Sequence, residues 1–241
     1  MAGQHDHETA ARIVAGRRAL ERRDRAATVL FGLGPPLKHA FSPAQQLAAI
    51  LDDLSPELRA VRWALQVHGR DLVLVTGASH DPVRCVGEAD GLLTSVAGFG
   101  LVVWTADCVP IALVGPRSVA MVHAGWRGAA AGVATEALHR LAADTAAPPA
   151  ELTAILGPSI GGPHYQVGAE VVDALRRTGV PESAWLAGDR VDLRGFLKAQ
   201  LESLGVNRVE TLGPCTFGTP TLASFRRDGA GAGRQWSLVW R

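Results

Sequence analysis

The sequence predicts an α/β (α+β) fold, a single domain built on a mixed β-sheet core flanked by helices. Three observations carry this. Short β-like runs separated by glycine-containing turns recur from about residue 61 onward. Helical patterns interrupt them in an order that does not strictly alternate, which excludes a regular doubly wound sheet. The 241 residues are 47% hydrophobic and 20% charged, enough to bury a sizeable core and too apolar for a disordered chain.

Taken in order, Ile13, Val14, Arg17 and Leu20 fall at helical spacing among many charges, which predicts a surface helix over 7–23 inside a charged segment spanning 1–27. Residues 28–43, TVLFGLGPPLKHAFSP, read as a strand followed by an exposed loop, and 43–51 as a helix. Strands are expected at 72–76, 91–94, 101–105, 111–114, 119–123, 152–156, 208–212 and 236–240. Between them, Val133, Ala134, Ala137, Leu138 and Leu141 share one helical face. Leu193, Phe196, Leu197, Leu201 and Leu204 share another, and a third helix around 168–178 turns Val171, Val172 and Leu175 inward. The stretch 144–151, DTAAPPAE, connects a helix to the next strand.

Charge is balanced, with 24 basic and 23 acidic residues, so no global field draws the protein to nucleic acid or to an anionic membrane. Any anion site is local. Lysine occurs only at Lys38 and Lys198; the remaining cations are arginines, suited to bidentate grip on phosphate or carboxylate. Three scattered cysteines, Cys85, Cys108 and Cys215, do not make a disulfide framework and favour a reducing compartment. The polar amino terminus has no signal-peptide pattern, and no apolar run reaches the roughly 18–20 residues of a spanning helix, so a cytoplasmic location is expected. His5 and His7 beside Asp6 are given no functional weight.

Three segments place metal-capable or nucleophilic side chains at strand ends: Gln66-Val67-His68-Gly69, Thr105-Ala106-Asp107-Cys108 and His123-Ala124-Gly125-Trp126-Arg127-Gly128. Singly, each is explained by packing, since a free cysteine behaves as a small buried hydrophobe. Together, two imidazoles and one thiolate form a set that Zn²⁺ accepts, with a fourth position open for water or substrate; copper also suits these donors. The third segment predicts a strand running through glycines into a helix that starts near Ala129, whose first amides and Arg127 can face an anion. The stretch 157–162, GPSIGG, allows similarly close backbone approach. Read as a strand, Ser224-Phe225-Arg226-Arg227 sends its two arginines to opposite faces, so at most one enters a pocket. P-loop, dinucleotide and zincin motifs are absent from the sequence.

The segments QVHG (66–69), ADGLLTS (89–95), TADCVPIAL (105–113), VHAGWRG (122–128), GPSIGGPHYQVG (157–168) and CTFGTPTLASFRRDGAGAGR (215–234) resemble the multicopper polyphenol oxidase (laccase-domain) or YfiH family, in family order. The resemblance implies a laccase-domain catalytic domain over 28–241 and a metal site, usually zinc, at His68, Cys108 and His123. It implies phosphorolysis of purine nucleosides, with related adenosine deaminase and methylthioadenosine phosphorylase activities. Its partners would then be purine nucleoside and phosphate, without nucleic acid or membrane. With the triad, Asp107 is the candidate catalytic acid or base, or a group that orients a ligand histidine. Gln66, Arg127, Ser159 and Arg227 are the candidates for substrate and phosphate binding. The family also implies other readings: a cell-wall-precursor editing factor, a copper polyphenol oxidase, or a metal-binding protein without catalysis. Residues 28–60 depart from the family pattern, as do Ser159 and His164, where cysteines are usual, and Phe225, where a tyrosine is usual.

Overall fold

The computed structural model describes residues 9–24, 27–34, 42–54, 56–79 and 81–241. His5, Asp6, His7 and most of the predicted loop before residue 43 lie outside them. Two mixed sheets are stacked between helices. The first has seven strands in the order β1 (Thr9–Val14), β2 (Arg17–Asp24), β3 (Ala27–Gly32), β15 (Gln235–Trp240), β8 (Phe99–Thr105), β4 (Ala60–Leu65) and β6 (Val83–Glu88). The second has six, in the order β14 (Arg208–Thr211), β11 (Thr153–Leu156), β9 (Val109–Val114), β10 (Val119–Ala124), β7 (Gly91–Thr94) and β5 (Leu72–Leu74). A small ribbon pairs β12 (Leu186–Ala187) with β13 (Arg190–Val191).

The period-two alternation of strand side chains decides which layer each residue joins. Val29 and Phe31 of β3, Leu101 and Val103 of β8, and Val239 of β15 meet Ala112 and Val114 of β9, Met121 of β10 and Ile155 of β11 between the sheets. Their neighbours Leu30, Val102 and Leu238 face outward onto Leu47, Ile50 and Leu54 of α1 (Pro43–Leu54). On the far face, Ile111, Leu113, Ala120, Val122 and Leu156 pack against three helices: α3 (Val133–Thr145), α4 (Ala169–Arg176) and α5 (Leu193–Ser203). The expected mixed core flanked by helices is present, as two sheets. Among the described residues, no helix is long and apolar enough to cross a membrane.

The helix expected over 7–23 is instead the antiparallel β1–β2 hairpin. Ala15 (φ 50°) and Gly16 (φ 69°) supply the two left-handed residues that a two-residue hairpin turn needs. The charges that read as a solvated helix face are paired within and between sheets. Arg22, 3% exposed, grips Glu210 of β14 with Nε and Nη2 at 2.8 and 2.6 Å. Glu21 holds Arg12 at 3.1 Å and Arg23 at 2.5 Å. Two further corrections concern helix boundaries. The helix after β10 begins at Trp126 rather than near Ala129, giving α2 (Trp126–Ala131), and a left-handed Gly132 (φ 85°) separates it from α3. Phe225–Asp228 is a short helix, α6, whose Ser224 Oγ accepts the Arg227 N–H at 3.2 Å, so Arg226 and Arg227 are not on a strand.

Gly157 follows β11 and packs directly against Phe31 of the other sheet. A Cβ there would overlap the Phe31 ring and lie 2.9 Å from Pro110 Cγ. Gly157→Ala is therefore expected to destabilise the fold by about 1–3 kcal/mol through overpacking, read as a lower urea midpoint. An unchanged midpoint would show that the interface can yield at no cost.

Candidate active site

The ends of β4, β8 and β10 converge on one side of the stacked sheets, and each delivers one soft donor. His68 lies in the turn after β4, Cys108 in the tight β8–β9 connection, and His123 near the end of β10. Their ligand atoms all lie within 4.8 Å of one another. Cys108 Sγ is 3.9 Å from His68 Nε2, and the two imidazole rings meet edge to face with centroids 4.8 Å apart. His68 (φ 62°) and Asp107 (φ 85°) both take left-handed backbone, unusual for non-glycine residues and concentrated here at the site.

The sequence reading assigned no role to Asp90, yet its carboxylate organises this cluster. It is 1% exposed, and Oδ1 contacts His123 Nδ1 at 2.7 Å and accepts the His68 N–H at 3.0 Å. Oδ2 accepts the amides of Val67 and Gly69 at 3.2 and 2.6 Å. Burial alone would raise the carboxyl pKa, but the hydrogen bonds from His123, Gly69 and His68 outweigh it and hold the pKa below its usual value. Asp90 thereby fixes His123 through Nδ1, leaving Nε2 free to ligate. The sequence offers only ADG at 89–91, an acid directly before a glycine, too common a pattern to single out until β7 pairs with β10 and buries it.

Glycine makes room for the donors. A Cβ on Gly125, the residue that caps α2, would lie 2.8 Å from His68 Cδ2 and 3.1 Å from Cys108 Sγ. A Cβ on Gly128 would lie 2.8 Å from the Gly69 carbonyl oxygen. The electrostatics follow from the crowding. Burial opposes ionisation of Cys108, yet the imidazoles of His123 and His68 overcome it and bring the thiol down to about 6. Burial likewise opposes the charged form of His123, but Asp90 and the Cys108 thiolate raise it to about 9. Both shifts run in the direction of a thiolate facing an imidazolium when no metal is bound.

Six of the eight sequence-predicted residues line one cavity of about 730 Å³: Gln66, His68, Asp107, Cys108, His123 and Arg127. Within it Gln66 is a clamp, its Nε2 donating to Trp104 O and its Oε1 accepting the Trp104 N–H, both at 2.8 Å. Asp107 is a brace: Oδ1 accepts from Thr216 Oγ1 at 2.6 Å, Oδ2 from the Arg226 N–H at 2.7 Å, and its carbonyl from Ile160 at 3.0 Å. The histidine-orienting carboxylate is thus Asp90. Ser159 and Arg227 are absent from the cavity wall. Ser159 is fully buried, and the Arg227 guanidinium is engaged by the carbonyls of Thr216, Phe217, Thr219 and Leu222 and by Asp228.

Of the adjacent pair, Arg226 rather than Arg227 enters the wall, and Trp63, Trp104, Phe225 and Arg234 join it without having been singled out as site residues from the sequence. Arg226 lies over the Tyr165 ring at 5.1 Å and donates Nη1 to the Gln166 carbonyl at 2.6 Å; Arg127 lies over Trp126 at 4.3 Å. Arg234 and the aromatic side chains of Trp63, Trp104 and Phe225 complete this part of the wall. Burial, with the nearby Cys108 charge, pushes the Tyr165 phenol up to about 12, so it stays a hydrogen-bond donor across the physiological range.

Residues 43–241 match the family model described as multi-copper polyphenol oxidoreductase laccase. A Mycobacterium tuberculosis protein named a purine nucleoside phosphorylase is 38% identical over 186 residues, covering 75% of this chain and 72% of that protein. The Escherichia coli purine nucleoside phosphorylase YfiH is 34% identical over 185 residues, covering 74% and 72%. Among solved structures, Bacillus licheniformis YfiH superposes with a TM-score of 0.82 at 25% identity, covering 95% of this chain and 98% of that one. YlmD from Geobacillus stearothermophilus reaches 0.75 at 27% identity, covering 92% and 96%.

The lowered thiol pKa has a direct readout. In metal-depleted protein, alkylation of Cys108 by iodoacetamide, followed by peptide mass mapping, is expected to rise with a midpoint near pH 6. A midpoint near 9, the ordinary thiol value, would show that the imidazoles do not support the thiolate.

Proposed function

Because this chain belongs to the multi-copper polyphenol oxidoreductase laccase family, we propose that it is a purine nucleoside phosphorylase whose His68, Cys108 and His123 hold a zinc ion. The observation that carries the reading is one cavity combining a soft three-donor cluster, three arginines and flat aromatic walls. Relatives that are 38% and 34% identical to it over 186 and 185 aligned residues bear the phosphorylase name.

The donor set fits such an ion: two imidazoles and a thiol with a lowered pKa, one imidazole locked by a buried carboxylate. Zinc held there would supply a Lewis-acid charge for orienting an oxygen of substrate, phosphate or water. The protein's own groups do the rest. In phosphorolysis a phosphate oxygen bonds to ribose C1′, the glycosidic C–N bond breaks, and its electron pair leaves with the purine. Positive charge develops on the ribose, so the anionic nucleophile must be fixed beside it in advance.

Arg127, Arg226 and Arg234 provide the forked donors for that anion. Arg226 is pre-positioned by Tyr165 and Gln166, so little freedom is lost when it binds. Trp104 and Phe225 offer flat apolar surface to a purine, and the Tyr165 hydroxyl, still protonated, can donate to it. Adenosine, inosine and methylthioadenosine are the nucleosides to try. Deamination needs a free acid–base group, and Asp107 spends both carboxylate oxygens on Thr216 and Arg226, which favours phosphorolysis. An oxidase reading is weaker because the described residues contain one metal-capable group, whereas multi-electron oxygen chemistry draws on several copper centres.

The test is chromatography of free base after incubation of metal-analysed protein with adenosine or inosine, with and without phosphate. Phosphate-dependent base release is expected, falling about a hundredfold or more, together with zinc content, in Cys108→Ser. Base release independent of phosphate, or full activity in a Cys108→Ser protein without zinc, would contradict it.

A further inference from the structure

Outside the cavity wall lies a second thiol beside a second imidazole. Cys215 Sγ is 3.4 Å from His164 Nδ1 and accepts the Gly161 N–H at 3.1 Å. The His164 ring stacks on Phe217, with centroids 4.8 Å apart and planes 23° from parallel, so its nitrogen stays directed at the sulfur. A bridge between Ser159 and Cys215, with the Thr216 N–H on the Ser159 carbonyl at 3.0 Å, fixes the backbone around the thiol. Cys215 is half-buried and His164 exposed, so a small reagent can reach the pair. Neither residue lines the cavity, and phosphorolysis uses neither.

We infer that Cys215 and His164 form a second reactive centre, a thiol–imidazole pair that takes small electrophiles and peroxides, separate from the metal-ligating group. A nucleophilic thiol needs a base to take its proton, a donor to support charge on sulfur and access for the reagent. His164 Nδ1, the Gly161 amide and the half-exposed position supply these. With hydrogen peroxide the proton passes from sulfur to His164, and the sulfur attacks one peroxide oxygen. The O–O bond breaks, and the departing hydroxide takes the imidazolium proton to leave as water. Sulfur loses two electrons, peroxide gains them, and the product is a sulfenic acid. It forms one residue from Thr216, whose hydroxyl braces Asp107 beside Cys108.

Cys85, also partly exposed but with only the Gly87 carbonyl, 4.0 Å from its sulfur, as a hydrogen-bond partner among the described residues, is the internal control. The full-length protein with its metal bound is treated with limiting iodoacetamide or, separately, with hydrogen peroxide and dimedone, and the cysteine peptides are followed by mass spectrometry. Cys215 is expected to react at least about tenfold faster than Cys85 with both reagents. His164→Gln should bring Cys215 to within about twofold of Cys85, and Phe217→Leu, which frees the ring, should slow it several-fold. Thermal midpoints confirm that the variants are folded, and Phe217→Leu decides if His164→Gln is not. Equal rates at Cys215 and Cys85, or an unchanged Cys215 rate in the folded variants, would overturn the inference.

Discussion

One buried carboxylate holds the active-site architecture together. Asp90 accepts three successive amides from the turn after β4 and contacts His123 Nδ1 on β10, so a single side chain sets two of the three donors. With side-chain exposures of 0% for Asp90 and 3% for His123, the contact between them is shielded from bulk solvent. Removing one member of such a buried pair typically costs about 3–5 kcal/mol, because the other charge is left uncompensated. The left-handed backbone at His68 is held against this anchor, and strain of that kind persists only where its surroundings over-determine it.

The stacked sheets give the anchor its reach. β4 and β8 belong to one sheet and β9 and β10 to the other, so the donor cluster straddles the interface between them. Turns at this end face the cavity, while alternation along each strand fills the layers behind it. Gly125 and Gly128 let α2 begin directly against the donors, and Asp107 ties α6 and the 157–162 loop to the same point. The result is a hydrogen-bonded floor with arginines at its walls, an arrangement suited to fixing an anion in place.

The parts legible in the sequence were those with unmixed chemistry. Continuous apolar runs gave β7 to β11 and β15, and amphipathic spacing gave α3 and α5. Elements whose charges are satisfied by the fold were missed. β4 contains Arg62, 1% exposed, with its guanidinium on the carbonyls of Ser79 and Asp81 and over the Phe99 ring. β6 runs among charges, and the β1–β2 hairpin hides Arg22 against Glu210. The cluster itself was legible as three metal-capable strand ends. Its partner Asp90 was not, because a lone acid before a glycine is ordinary until the fold buries it. Arg227, sought as a substrate contact, holds backbone away from the cavity wall, while Gln66 clamps Trp104 at the wall itself.

The direct test of this account is the zinc affinity of Asp90→Asn, measured by competition titration against the wild-type protein. Asparagine keeps the shape but cannot accept all the amides and the imidazole N–H. An affinity about 10–100-fold weaker, in a protein that still folds, is expected. A folded Asp90→Asn protein that binds zinc as tightly as the wild type would show that the cluster does not depend on this carboxylate.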